Sequence, residues 1–351
     1  MLQRVSSRSE SVPVLSVAEF EQEIARDQAF IQHQPVIVEG FIDRWPASTE
    51  WLDHQHLRAR FGHVPVRASA PQFPTFLGQD ICSVGTTFGD YLSYLENPDL
   101  ADQLFAGQWM QGGPDQLRAM DSPLYCGSLR FVSSPEEARI PELSPLLPEG
   151  VECWNDMIPH FYKLENHFWL FVAKAGALTP LHTDNNAVIA YLAQFSGEKD
   201  LTLFGPEDHD LLYRSDHGYL DWDRPDSALF PDWPAARRWS TRIRPGQLMF
   251  IGTGWAHHVR TLQDSVTFSF EFINRSNVNA FVDCGEWLVD LGRFALAQGG
   301  SADSPPAERS LAAGRSLMRG LLRRRLAQES LSAKERDVQA KLLARIEALP
   351  A

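Results

Sequence analysis

The sequence predicts a mainly β domain, built as a sandwich or barrel, with flanking helices and a helical C-terminal extension. Three observations point there. Between residues 165 and 273, short apolar or alternating runs are separated by Gly/Pro turns. On either side of that region, apolar residues recur at helical spacing instead. A hydrophobic content of 44%, with 10 Trp and 21 Phe, supplies a large aromatic core and argues against disorder. With 351 residues there is room for one large domain plus an appendage, or for two ordinary domains.

Taken in order, residues 1–13 read as a polar, disordered lead that lacks the apolar stretch of a secretory signal. Val17 to Ile31 has helical spacing, with Ser16 placed to cap it. A short strand at Pro35-Val36-Ile37-Val38 is closed by Gly40. A helix over Asp53–Phe61 and a strand over Val64-Pro65-Val66-Arg67 follow. Residues 68–122 alternate Gly/Pro punctuation with a helical patch near Phe88–Leu95, and read as insertions packed around a β-core. Core strands are expected at 168–174, 187–195, 200–204, 247–251 and 265–273. The Asp-, Pro- and Trp-rich span 208–242 reads as a long excursion from that core. Helices are expected over 280–297, 307–327 and 333–348, the last capped by Ser332, with a linker at 299–306. The organisation is then a lead (1–13), a main domain (14–275) and a helical region (276–351).

A formal charge of −13 argues against a nucleic-acid partner, because neutralising phosphates takes clustered Lys and Arg. The sign is uneven: residues 301–351 carry a local +4, leaving about −17 on the rest. Cys82, Cys126, Cys153 and Cys284 are scattered without a CxxC spacing, which reads as reduced thiols in a cytoplasmic protein. No run of roughly 18 apolar residues offers a membrane span.

Chemistry concentrates in Thr179-Pro180-Leu181-His182-Thr183-Asp184 and, far downstream, Trp255-Ala256-His257-His258-Val259. Two imidazoles and one carboxylate, the first pair spaced i, i+2, are the ligand set of a 2-His-1-carboxylate facial triad. On a strand, residues i and i+2 share a face, so His182 and Asp184 can reach one metal ion, with the second histidine arriving from a neighbouring strand.

These segments, with Pro35-Val36-Ile37-Val38-Glu39-Gly40-Phe41-Ile42-Asp43-Arg44-Trp45-Pro46, Gly197-Glu198-Lys199, Leu203-Phe204-Gly205-Pro206 and Pro245-Gly246-Gln247-Leu248-Met249-Phe250-Ile251, make the chain resemble a known family. It resembles the JmjC/cupin-like oxygenases that require iron(II) and 2-oxoglutarate, in the branch of the factor-inhibiting-HIF-type hydroxylases. The resemblance covers roughly residues 30–275. It implies a double-stranded β-helix (a jelly roll) holding Fe(II) in its mouth through His182, Asp184 and His257. Of the adjacent pair, the family pattern makes His257 the ligand and leaves His258 as a packing or outer residue.

The resemblance also makes Lys199 the anchor for the distal carboxylate of 2-oxoglutarate, with Thr179 and Tyr125 hydrogen-bonding the same co-substrate. Lys199 shares strand parity with Leu201 and Leu203, and a lysine among inward-facing apolar positions needs a buried anion. Asn185 and Asn186, directly after the triad's Asp184, are candidate substrate or outer contacts. Three departures stand out. Two extra residues separate Asp184 from Gly197, as a bulge would. Gln247 replaces the Asp that often follows Pro-Gly. Glu271 stands where the asparaginyl hydroxylases carry an Asn facing the co-substrate, and a carboxylate there repels 2-oxoglutarate unless protonated or paired.

The resemblance implies a dioxygenase that hydroxylates an unactivated C–H, coupled to decarboxylation of 2-oxoglutarate to succinate. A protein or peptide side chain is the expected substrate. The alternatives are a small-molecule or RNA-base oxygenase of the same fold, or a non-catalytic binding module. In the hydroxylase relatives a helical tail forms a homodimer interface, so the Leu-rich C-terminal helices are candidates for that role or for packing on the chain's own barrel.

Overall fold

A computed structural model describes residues 9–71, 82–120, 122–126, 129, 137–164, 167–297, 307–328 and 330–349. Eight strands form the centre: β1 (Phe168–Ala173), β2 (Leu178–His182), β3 (Ile189–Ser196), β4 (Lys199–Phe204), β5 (Arg238–Ile243), β6 (Gln247–Ile251), β7 (Ala256–Thr261) and β8 (Ser265–Phe272). They divide into two antiparallel sheets, ordered β6-β3-β8-β1 and β5-β4-β7-β2. The chain crosses from one sheet to the other at nearly every connection, which is the jelly-roll arrangement.

Each sheet is extended at an edge. The first gains Val36–Glu39 and Val14–Ser16 beyond β6, and Tyr125–Cys126, Pro65–Ala70, Cys82–Thr87 and Trp109–Gln111 beyond β1. The second gains Ser9–Ser11, which pairs in parallel with β5. Residues 9–11 therefore belong to a strand, although the sequence placed them in a disordered lead. The span 238–242 is also corrected: it is core strand β5, and the excursion between β4 and β5 ends before it.

Strand alternation decides where the core sits. On β8, Val266, Phe268, Phe270 and Phe272 point outward into the main hydrophobic cluster, beneath helices that include Val17–Arg26. Trp45 and Trp51 cap that face, each within about 6.5 Å of the Phe268 ring. Fully burying an aromatic of this size contributes roughly 2–3 kcal/mol. The opposite face of β8 carries Ser265, Thr267, Ser269 and Glu271, turned toward the second sheet. Small apolar clusters, one including Ile37, Leu201, Leu203, Met249 and Ile251 and another including Tyr125, Phe171 and Ala173, fill part of the space between the sheets. The rest of that space is open for a site.

Local signals explain the boundaries. Ser16 forms a capping box with Glu19 at the start of Val17–Arg26. The expected helix to Ile31 stops at Arg26 and resumes as a short turn over Phe30–His33. Pro245 and Gly246 turn the chain from β5 into β6; Gly246 sits at φ 87°, the left-handed position that such a turn reserves for glycine. Gln247, the residue that departs from the family's Asp, caps this turn by accepting from the Arg244 N–H at 2.8 Å.

Beyond the two sheets, Val278–Cys284 and Glu286–Ala297 are two helices broken at Gly285 (φ 69°), where one continuous helix was expected. Ala307–Leu326 and Ala333–Ala348 follow, the second capped by Ser332 as anticipated; the linker expected at 299–306 lies outside the described residues. Met318, Leu322, Val338, Leu342 and Ile346 are buried within the single chain. Leu311, Leu317 and Leu321 on Ala307–Leu326 stay half-buried. The four cysteines are free thiols. Among the described residues no helix is long and apolar enough to cross a membrane.

Candidate metal centre

Two strands and a turn bring the triad together. His257 on β7 is in register with His182 at the end of β2. Their rings lie 4.2 Å apart between centroids. Asp184 follows two residues after His182, with its Oδ1 3.8 Å from Nε2 of each histidine. One donor atom from each of the three side chains lies within 4.8 Å of the others.

Both imidazoles are set to present Nε2. The Nδ1 of His182 is 2.8 Å from the Pro180 carbonyl and that of His257 is 3.1 Å from the Trp255 carbonyl. A carbonyl oxygen can only accept, so Nδ1 carries the proton and Nε2 turns its lone pair toward Asp184. Burial, followed by the neighbouring His257, holds His182 down to about 4, so it is neutral around pH 7. Two imidazoles presenting Nε2 and one carboxyl side chain match the donors of a divalent transition-metal ion such as iron(II).

A cavity of about 640 Å³ opens on this cluster. A bulge shapes its floor: His257 and Val259 on β7 oppose His182 and Thr179 on β2, so one extra residue lies between Thr179 and His182. Without it strand parity would turn one of them away; with it both line the cavity. Lys199 also faces inward, 1% exposed, with Nζ donating to the Tyr125 hydroxyl at 2.6 Å. Tyr125 is linked in turn to Thr179 by a side-chain hydrogen bond. A bulge between Gln194 and Ser196 takes up one residue before Gly197, and Lys199 keeps an inward register.

Among the described residues Lys199 makes no ion pair. Burial alone pushes its ammonium down to about 7. A buried ammonium beside a phenol, at the closed end of a cavity, is electrostatically incomplete without an anion.

Glu271 lines the same cavity. Trp169 Nε1 donates to its Oε1 at 2.9 Å, and His167 Nδ1 lies 3.1 Å from its Oε2. Burial, then the nearby Asp184 charge, raises its carboxyl well above the ordinary range. Asn185 also lines the cavity. Two candidates do not. Asn186 turns away, 1% exposed, in a left-handed conformation. His258, one residue past His257, points through the opposite face of β7, where its Nε2 meets Asp223 Oδ2 at 3.3 Å. With Arg260, it holds the Asp223 carboxyl down to about 2 and ties the excursion to the outside of the sheet.

The sequence did not single out Trp169, Phe171 and Ser269, although strand parity on β1 and β8 turns all three inward. It also missed the rim. His209, Tyr213 and Tyr219 of the excursion line the mouth, and Tyr219 Oη lies 2.8 Å from Oγ1 of Thr183, between the two β2-end ligand candidates.

Comparison with known proteins follows the same geometry. The cupin-like domain family model matches residues 21–276. Lysine-specific demethylase 8 of Xenopus tropicalis is 25% identical over 283 residues, covering 75% of this chain and 56% of that protein. tRNA wybutosine-synthesizing protein 5 of Danio rerio is 31% identical over 155 residues, 44% of this chain and 46% of that protein. The 2-oxoglutarate and iron-dependent oxygenase JMJD4 of Mus musculus is 21% identical over 260 residues, 69% of this chain and 56% of that protein. The chain spans about half the length of the curated relatives it matches. With the matched segment running from the first helix through all eight central strands, the chain belongs to the cupin-like domain family.

Proposed function

We propose that this chain is an Fe(II)- and 2-oxoglutarate-dependent oxygenase that hydroxylates an unactivated C–H on a protein or peptide side chain. The observation that carries the proposal is a single cavity holding both halves of such a site. The donors of His182, Asp184 and His257 converge at one wall, and the unpaired ammonium of Lys199 is buried at another. His182, Asp184 and His257 would hold the metal, and Lys199 would receive the distal carboxylate of 2-oxoglutarate, with Tyr125 and Thr179 completing its polar cradle. Bound iron, 2-oxoglutarate and oxygen together supply an oxidant, one oxygen atom going to the substrate C–H and the other to succinate as carbon dioxide leaves.

The chain's own part is to bind, orient and exclude water. Carbonyl contacts at Nδ1 fix both imidazoles, and the apolar walls Trp169, Phe171, Leu192 and Ile251 keep the interior dry. A small dicarboxylate leaves much of about 640 Å³ unfilled, which gives room for a substrate side chain under His209, Tyr213 and Tyr219. The overall charge of −13 favours a peptide over a polyanion such as RNA. Two matched relatives, one named a lysine-specific demethylase and one an iron-dependent oxygenase, support the same class.

The test is succinate release from 2-oxoglutarate with iron(II), with and without candidate peptides. Turnover is expected in the wild type and is expected to vanish in His182→Ala and Asp184→Ala. Metal binding with no decomposition of 2-oxoglutarate under any condition would instead establish a binding module.

A further inference from the structure

Asp184 is followed almost at once by two consecutive non-glycine residues in the left-handed region, Asn186 at φ 58° and Ala187 at φ 49°. Residues with a Cβ persist there only where their surroundings over-determine them, and such strain gathers at working sites. The surroundings here are specific. Thr253 Oγ1 lies 3.2 Å from the Ala187 carbonyl and 3.1 Å from that of Val188, and Asn277 Nδ2 donates to the Ala187 carbonyl at 3.0 Å. Thr253 lies in the connection from β6 to β7, and Asn277 immediately precedes the helix Val278–Cys284. A further anchor comes from the next helix. The Asn186 N–H donates to Oε2 of Glu286 at 2.6 Å, and Glu286 opens the helix Glu286–Ala297, a hundred residues further along.

We infer that Glu286 is a positioning residue for Asp184: from outside the two sheets, its carboxylate locks the strained turn that aims the Asp184 side chain between His182 and His257. Asn186 is 1% exposed, so this short bond from its N–H to Glu286 is shielded from water. Among the described residues Glu286 makes no ion pair, so its carboxylate is not drawn to a competing cation. It also forms one wall of a groove of about 300 Å³ that shares Asn185 with the main cavity, at the edge of the mouth. The helix Glu286–Ala297 thereby reaches the turn after Asp184 through this side chain, in the way that outer partners of ligands fix ligand orientation.

This inference rests on the proposed metal centre, and one experiment separates the two. The full chain, as wild type, Glu286→Ala and Glu286→Gln, is titrated with cobalt(II) as an oxygen-inert stand-in for iron, while the visible cobalt spectrum and metal-free melting are recorded. Glu286→Ala is expected to weaken cobalt binding about tenfold and to alter the spectrum. Glu286→Gln, which keeps an acceptor for the Asn186 N–H, is expected to restore most of both. Should Glu286→Ala fail to fold, Glu286→Asp, a carboxylate one methylene short, replaces it in the comparison. Wild-type affinity and spectrum in the Ala or Asp variant, with or without a lowered melting temperature, would overturn the inference alone. A wild type that does not bind cobalt would overturn the metal centre and this inference with it.

Discussion

At Lys199 the chain buries an ammonium group against a phenol, with its proton affinity pushed down to about 7 from an ordinary 10.5. Between those values the unfolded chain holds more protons than the folded one, so this residue's penalty on stability is full below about pH 7 and fades as pH rises toward 10.5. Lys199→Met should therefore raise the melting temperature of the ligand-free protein, by an amount worth roughly 1–2 kcal/mol near neutral pH that shrinks on the alkaline side. The same change should weaken 2-oxoglutarate binding about 100-fold or more, read by calorimetry, because the anion loses its buried partner. An unchanged affinity would show that the anchor lies elsewhere.

Glu271 shifts the opposite way for the same reason, burial, reinforced by Asp184. Its raised folded value means that the unfolded carboxyl ionises first, so its cost is absent below the ordinary 4.5 and grows as pH rises above it. Glu271→Gln, a neutral isostere, should melt with the wild type in acid and above it toward neutral pH. Metal affinity should stay within about twofold, since Glu271 is not one of the three converging donors. A large loss of metal binding in Glu271→Gln would mean that the ionised form contributes to the centre.

Among the elements, the pair Glu286–Ala297 and Ala307–Leu326 is held at its closest approach by two glycines. A Cβ on Gly314 would collide with the Leu288 carbonyl, and one on Gly292 with that of Ser310. Gly314→Ala should cost about 2–3 kcal/mol or more in denaturant unfolding, despite its better intrinsic helix propensity. A gain in stability would show that the helices are not in backbone contact.

The strands with clean alternation were legible from sequence: β6 matches its expected span, and β1, β4 and β8 differ by a residue at an end. β5 was not, because its Arg-Trp-Ser-Thr-Arg-Ile run continues a polar, Pro-rich excursion without a turn signal to separate them. Ser9–Ser11 was hidden for a related reason. A three-residue edge strand without an apolar face owes its existence to the partner edge of β5, which no local pattern announces. The site divides along the same line. That His182, Asp184, His257 and Lys199 would face one cavity was readable because motif and parity are local. Tyr219 and Glu286 were not, since their contacts join segments 36 and 100 residues apart.

For the molecule as a whole, the architecture sets two sheets around a cavity that small apolar clusters leave partly unfilled, and puts the bulk of hydrophobic stability outside it. That division lets the centre carry buried polar side chains and a strained turn without depending on them for folding. Glu286 is one of the contacts through which the helices after β8 touch the turn after Asp184. The central claim is that one cavity binds a divalent metal through His182, Asp184 and His257, and 2-oxoglutarate through Lys199. The most direct measurement is an anaerobic titration of the metal-free chain with iron(II) and then 2-oxoglutarate, followed by visible charge-transfer absorption. One equivalent of each is predicted to bind, with the signal lost in His182→Ala and sharply weakened in Lys199→Met. A wild-type chain that binds neither, or that gives the same signal when His182 and Asp184 are both replaced by alanine, would contradict it.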